Sequence, residues 1–235
     1  MMSPISIKII EMRQDQLGNT SIVFDCPTAN LPNPGQYMQA YSQTAAYSDA
    51  DSILPITLFP DQYSNSDKPG FTRISACGPL PSAWLPGKLL QIRTPLGHGF
   101  TMPDNLNRLI LVSVTSSPSR LLPLIPHAKQ IALFTDHPTL DLPEEVEISP
   151  LSELPPALSW PDFMAIDCPI ENLHQLENLL PQELSQPPCP TQVLVHSQMP
   201  CSGLADCGVC ALPAKRGYKL ACKDGPVFEW RELNI

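Results

Sequence analysis

Positive charge and long apolar runs are both scarce in this chain of 235 residues, in which 14 Lys and Arg stand against 23 Asp and Glu and the formal net charge is −9. Nucleic acids and anionic membranes are gripped by basic patches, so neither is expected as a partner. No apolar run approaches the ~20 residues that a membrane-spanning helix requires. The opening Met1-Met-Ser-Pro-Ile-Ser-Ile-Lys has neither a basic stretch nor a long apolar one, so no secretory signal is expected and the cytoplasm is the expected compartment. Recognisable catalytic motifs are missing too. There is no G-x-S-x-G, no G-x4-G-K-S/T phosphate loop and no H-E-x-x-H. Any redox or bond-making chemistry is therefore expected to come from cofactors that the protein positions.

Proline, by contrast, is abundant, with 29 residues spread between short apolar segments. That share is about twice the usual one, and its scatter fits many short strands joined by stiff loops better than disorder. Ile5 to Ile10 and Thr20 to Phe24 read as an antiparallel pair. Further strands are expected at Tyr37-Met38, Ile53 to Phe59, Gly70 to Ser75 and Leu89 to Arg93, with a polar, serine-rich bulge at Ser42 to Ser52. This rhythm predicts a closed antiparallel β barrel over 1–103. From Leu109 the texture changes to continuous apolar runs, Leu109 to Val114, Ile131 to Asp136, Phe163 to Asp167 and Gln192 to His196. These predict buried parallel strands, with Ser119 to Ile125 and Glu171 to Leu180 as single helices between them, in an α/β domain over 104–197. A third unit, 198–235, holds the densest chemistry.

In that last unit Cys201, Cys207, Cys210 and Cys222 make up half of the eight cysteines and follow C-x5-C-x2-C-x11-C. The spacing is one residue longer than the C-x4-C-x2-C…C run whose four thiolates hold a 2Fe-2S cluster in plant-type ferredoxins, which makes a cluster site the leading reading. Gly203 and Gly208 suit a loop wrapped around such a core, because they adopt positive φ at little cost. Four-cysteine zinc, disulfides and a C-x-x-C redox pair at Cys207 and Cys210 compete with it. Zinc sites usually show two short knuckles and here there is one; disulfides suit secreted chains; a redox pair leaves Cys201 and Cys222 unexplained. Cys26, Cys77, Cys168 and Cys189 share no spacing and read as ordinary thiols.

Three pieces in order, Pro34-Gly-Gln-Tyr37, then Pro86-Gly-Lys leading to Pro95-Leu-Gly-His-Gly-Phe100, then the cysteine loop closing on Cys222-Lys-Asp-Gly-Pro-Val-Phe228, resemble the electron-transfer subunit of B-type dihydroorotate dehydrogenases. The resemblance spans nearly the whole chain and is most specific at the C-terminus. It implies a ferredoxin-reductase-like, flavin-binding six-stranded-type barrel, a nucleotide-binding-type α/β domain and a C-terminal 2Fe-2S loop with Cys201, Cys207, Cys210 and Cys222 as ligands. It also implies a hetero-oligomer with an FMN-containing dehydrogenase catalytic subunit of pyrimidine biosynthesis, to which the cluster relays single electrons. The positions that would face FAD by this resemblance are Tyr37, Pro55, Thr57, Gly97 and Gly99. Two departures stand out. The family's arginine-proline-x-serine corresponds to Leu54-Pro55-Ile56-Thr57, so a leucine replaces the cation that pairs with the flavin pyrophosphate. Its glycine-rich first α/β turn corresponds to Val112 to Arg120, which lacks glycine. These losses keep open a second expectation, a non-catalytic scaffold or regulatory subunit whose cluster is chiefly structural and in which FAD and NAD binding are lost.

Overall fold

A computed structural model describes residues 3–234 apart from 16–17, 43–53, 115–116, 138–141, 181–183 and 185. Most of the expected serine-rich bulge and the first residue of the strand expected at Ile53 lie outside the described residues.

The N-terminal half is an antiparallel sheet of β1 (Ile5–Lys8), β2 (Glu11–Gln14), β3 (Thr20–Pro27), β4 (Tyr37–Ser42), β5 (Ile56–Asn65), β6 (Phe71–Cys77) and β7 (Leu89–Leu96). Its order is β1-β7-β4-β5-β6-β3-β2, so the two edge strands are consecutive in the chain. Ile9 exchanges backbone bonds with the β7 side, Ile9 N to Lys88 O and Gly87 N to Ile9 O, while Ile10 N donates to Val23 O in β3. One bent strand thus closes the sheet into a six-position barrel, which removes its edges. Inward positions recur with the strand period of two: Ile22 and Phe24, Met38 and Ala40, Ile74 and Ala76, Leu90 and Ile92, all buried around the fully buried Trp84.

The second half is built on β8 (Arg108–Ser113), β9 (Gln130–Thr135), β10 (Val146–Ser149), β11 (Phe163–Pro169) and β12 (Thr191–His196), parallel to one another, with β15 (Val227–Glu229) antiparallel at the edge. Sheet order is β10-β9-β8-β11-β12-β15. Alternate residues of the central strands face opposite layers. Leu109, Leu111, Ile131, Leu133 and Phe163 pack with Leu121 and Leu124, while Ile110, Val112, Phe134, Met164 and Ile166 pack with Leu176 and Leu179. The three layers are as expected, but the covering segments are not α-helices: Pro118–His127 and Ile170–Leu179 are 3-10 turns. Pro123 and Pro126 sit inside the first, where each removes a backbone donor and clashes with a preceding turn.

The two halves share a core. Tyr37, Phe59 and Cys77 of the barrel belong to the same buried cluster as Ile110, Met164, Val195 and Phe228 of the α/β sheet.

Candidate metal centre

The cysteine-bearing stretch is an excursion between two neighbouring strands of one sheet, leaving at the end of β12 and returning as β15. Anchoring at both ends fixes its base, and the hairpin β13 (Ala211–Ala214) and β14 (Gly217–Leu220) braces its middle. Ser202, Gly203, Ala205 and Gly208 all have positive φ, between 55° and 72°. Four such residues so close together coil the backbone tightly. Ser202 and Ala205, which bear side chains, add to the two glycines that suggested this coiling. The residues spanned by the long first interval follow the same geometry, with Leu204 and Asp206 exposed and Ala205 partly packed inward.

All eight cysteines are free thiols. Within the loop Cys210 and Cys222 are buried, Cys201 is half-buried and Cys207 is exposed. The amide of Cys222 donates to Cys210 Sγ at 3.4 Å, and that of Ala221 to the Cys210 carbonyl at 3.0 Å. Cys201 lies beside Cys207, and burial raises its thiol, but the amides of Asp206, Cys207 and Ala205 together with the Cys207 side chain outweigh this and bring it down to about 6. Converging amides of this kind form a cradle for an anionic sulfur. Burial, reinforced by Cys210, pushes the Cys222 thiol up to about 12. Among the described residues no three His, Cys, Asp or Glu side chains converge on one point. Cys201 stands beside Cys207 and Cys222 beside Cys210, and the influence of Cys201 also reaches Cys222, so the four thiols gather in one part of the loop.

Side chains of the barrel hold this loop. Tyr37, at the start of β4 and 1% exposed, donates its hydroxyl to the Cys222 carbonyl at 2.9 Å. Burial raises the Tyr37 phenol far from its ordinary range, and the neighbouring thiols add to this. Arg93 in β7 donates to the Ser202 carbonyl at 3.0 Å. A Cβ on Gly203 would collide with the Tyr37 hydroxyl. Gly97 (φ +70°) is as tightly enclosed, since a Cβ there would meet the Gly225 carbonyl at 2.6 Å and the Tyr37 ring at 2.8 Å. The His98 amide donates to Gly225 O at 2.6 Å, stitching the Gly97-His98-Gly99 turn to the tail. Asp224 closes the turn after Cys222, its carboxylate accepting from Leu220 N at 2.8 Å.

The residues singled out in the sequence therefore separate into two sets. Tyr37 and Gly97 meet the cysteine loop. Thr57 lies on the next strand over, β5, with Pro55 just before it; Thr57 is buried and its hydroxyl accepts from Gln39 at 2.8 Å; Gly99 packs on the Pro34 carbonyl. Arg93 was not singled out by sequence reasoning. Nor was a charged cluster at the carboxyl ends of the parallel strands. There Arg120 donates to buried Asp167 at 3.1 Å, and His196 Nε2 stands 3.5 Å from the other oxygen of the same carboxylate. Only the apolar-to-polar change at each strand end signalled that cluster.

Residues 196–234 match the family described as the iron-sulfur cluster binding domain of dihydroorotate dehydrogenase B. The chain has a ferredoxin-reductase-like fold. It superposes on an NADH-dependent reduced ferredoxin-NADP oxidoreductase, described for flavin-based electron bifurcation, with a TM-score of 0.69 at 16% identity, covering 100% of this chain and 91% of the other. The ferredoxin reductase of carbazole 1,9a-dioxygenase aligns at a TM-score of 0.57 and 14% identity, over 77% of this chain and 67% of that one. Phthalate dioxygenase reductase, described as a modular structure for electron transfer from pyridine nucleotides to 2Fe-2S, gives 0.50 and 12%, over 83% and 68%. No curated protein matches the chain. Among the described residues, no helix is long and apolar enough to cross a membrane.

Proposed function

We propose that Cys201, Cys207, Cys210 and Cys222 of the iron-sulfur binding tail hold one 2Fe-2S cluster and that the chain relays single electrons through it to or from a flavin-containing, dihydroorotate dehydrogenase-like catalytic subunit of pyrimidine biosynthesis. The observation that carries this reading is the gathering of four thiols, with amides converging on Cys201, in the stretch that matches the iron-sulfur cluster binding family. Four thiolates are the donor set of a 2Fe-2S cluster, and a lone C-x-x-C knuckle is not the usual pattern of four-cysteine zinc. When bound, the cluster supplies a one-electron redox centre. The chain's own residues set its surroundings: amides at Ala205, Asp206 and Cys207 stabilise thiolate charge, and Tyr37 and Arg93 fix the loop to the barrel. The domains run 1–103, 104–197 and 198–235, the last contributing β15 to the sheet of the second.

Exposed Cys207, flanked by exposed Leu204 and Val209, puts the cluster edge at the surface, where a partner can come within electron-transfer range. Exposed Lys215 and Arg216 on the adjoining hairpin give this face positive charge in an otherwise acidic protein, suited to an acidic partner surface. Hetero-oligomeric assembly with the catalytic subunit follows from this reading. The stitching of the loop by Tyr37 and Arg93 also favours the second reading, a scaffold whose cluster is a structural staple. Mixing the anaerobic, oxidised chain with its dehydrogenase partner and dihydroorotate decides between them. The relay predicts substrate-dependent bleaching of the cluster's visible absorption; an intact complex with no bleaching leaves the staple.

A further inference from the structure

We infer that this chain binds neither flavin nor pyridine nucleotide, because its own side chains occupy the strand ends and the flavin-type positions where those cofactors would sit, and that electrons therefore enter and leave it singly, between proteins.

In open α/β sheets a nucleotide sits outside the carboxyl ends of the parallel strands, with its phosphate at the turn into the next segment. Here those ends are occupied from both sides. From the α/β side, Asp167, two residues before the end of β11, is fully buried, and His196 closes β12. Arg120, from the turn after β8, donates to the Asp167 carboxylate at 3.1 Å. From the barrel side, the Phe59 ring lies 5.6 Å beneath the Arg120 guanidinium, and Phe59 and Cys77 are buried in the sheet's own apolar cluster. Arg120 Nε, Asp167 Oδ1 and His196 Nε2 are all shut away from solvent. None of these three atoms makes a hydrogen bond among the described residues, and the group is held together by the Arg120–Asp167 bond and the approach of His196 to the same carboxylate. An arginine committed to an internal carboxylate is not available to a pyrophosphate, and releasing it would leave Asp167 buried and unpaired, a costly arrangement.

The flavin-type positions are filled in the same manner. The Tyr37 ring is buried and its hydroxyl is bonded to Cys222 O. The open faces of Gly97 and Gly99 abut the Gly225 and Pro34 carbonyls, each 2.6 Å from where a Cβ would stand. Arg93 is bonded to the cysteine loop, and the position that would supply a phosphate-pairing cation is Leu54, exposed to solvent. FAD therefore does not fit this chain. A nicotinamide gives up a hydride, two electrons at once, and needs a two-electron acceptor such as a flavin. The cluster of the proposed function accepts one. For each pair of electrons that a dehydrogenase removes from its substrate, two successive single-electron transfers must pass to a one-electron carrier protein. This last step rests on the cluster reading; the occupied cofactor positions do not.

The test uses the anaerobically purified full chain. Flavin released by acid denaturation is measured by fluorescence, iron by metal analysis, and thermal midpoints are recorded with and without FAD, NADH and NADPH. A ligand at about a hundredfold its dissociation constant raises the midpoint by several degrees. The expected results are flavin well below stoichiometric amounts, a midpoint unmoved by any of the three, and visible absorption bleached by dithionite but not by NADH or NADPH. Flavin near one per chain, or a saturable rise with either nucleotide, overturns the inference. An iron-free chain overturns the cluster reading instead, and the flavin and nucleotide results stand without it.

Discussion

The Tyr37 hydroxyl reaches from a fully buried ring to the carbonyl of Cys222, 185 positions further along the chain. Removing one partner of a buried hydrogen bond costs about 1–3 kcal/mol, so Tyr37→Phe should lower the thermal midpoint by roughly 2–10 °C while leaving the barrel's far-ultraviolet signature intact. An unchanged midpoint would show that this contact contributes nothing. The eight thiols divide in the same way. Burial pushes Cys26, Cys77 and Cys168 up to about 12 and raises Cys189 as well, and these four lie outside the cysteine loop. Serine at any of Cys201, Cys207, Cys210 or Cys222 should cost the chain its iron, whereas Cys26→Ser should keep it, as metal analysis will show. Burial lowers His196 from 6.5 to about 4, against the pull of Asp167. The folded state thus takes up fewer protons than the unfolded one between these values, so stability is full above pH 6.5 and declines as the pH falls towards 4. The loss is about 3 kcal/mol at most, and His196→Gln should flatten that limb of a denaturation-versus-pH curve.

Strands were legible in the sequence where their period was clean. Ile22 and Phe24, or Leu109 and Leu111, announce their faces by alternation, and β3, β8, β9, β11 and β12 fall within a few residues of expectation. What escaped was set by tertiary contact. β15 is a three-residue strand, Val-Phe-Glu, whose place comes from pairing with β12. The covering segments read as helices by their apolar spacing, yet Pro118–His127 winds as 3-10 because its internal prolines cannot sit in an α-helix. The grouping of four cysteines in one loop was readable from spacing alone. The tie from Arg93 to Ser202 was not, since nothing in an alternating strand marks which outward cation meets a distant loop. Replacing Arg93 with Met should loosen the loop without unfolding the barrel, giving faster iron loss to a chelator and a midpoint within a few degrees of the parent. Equal rates of loss would remove Arg93 from the account.

At the scale of the molecule, the barrel and the α/β sheet share one apolar cluster, from Tyr37 and Phe59 on one side to Ile110, Val195 and Phe228 on the other. The cysteine loop hangs between two strands of that shared body and is bonded to both halves. Two halves joined through a common core should unfold in a single cooperative transition; two resolved calorimetric peaks would show that the shared core does not couple them. All of this serves one central claim, that four cysteines of the tail hold a two-iron cluster. Low-temperature electron paramagnetic resonance of the dithionite-reduced chain tests it most directly. The account predicts a spin-half signal integrating to about one per chain, with about two irons, and its loss in Cys222→Ser. A chain that gives no signal and carries one zinc in place of iron would contradict it.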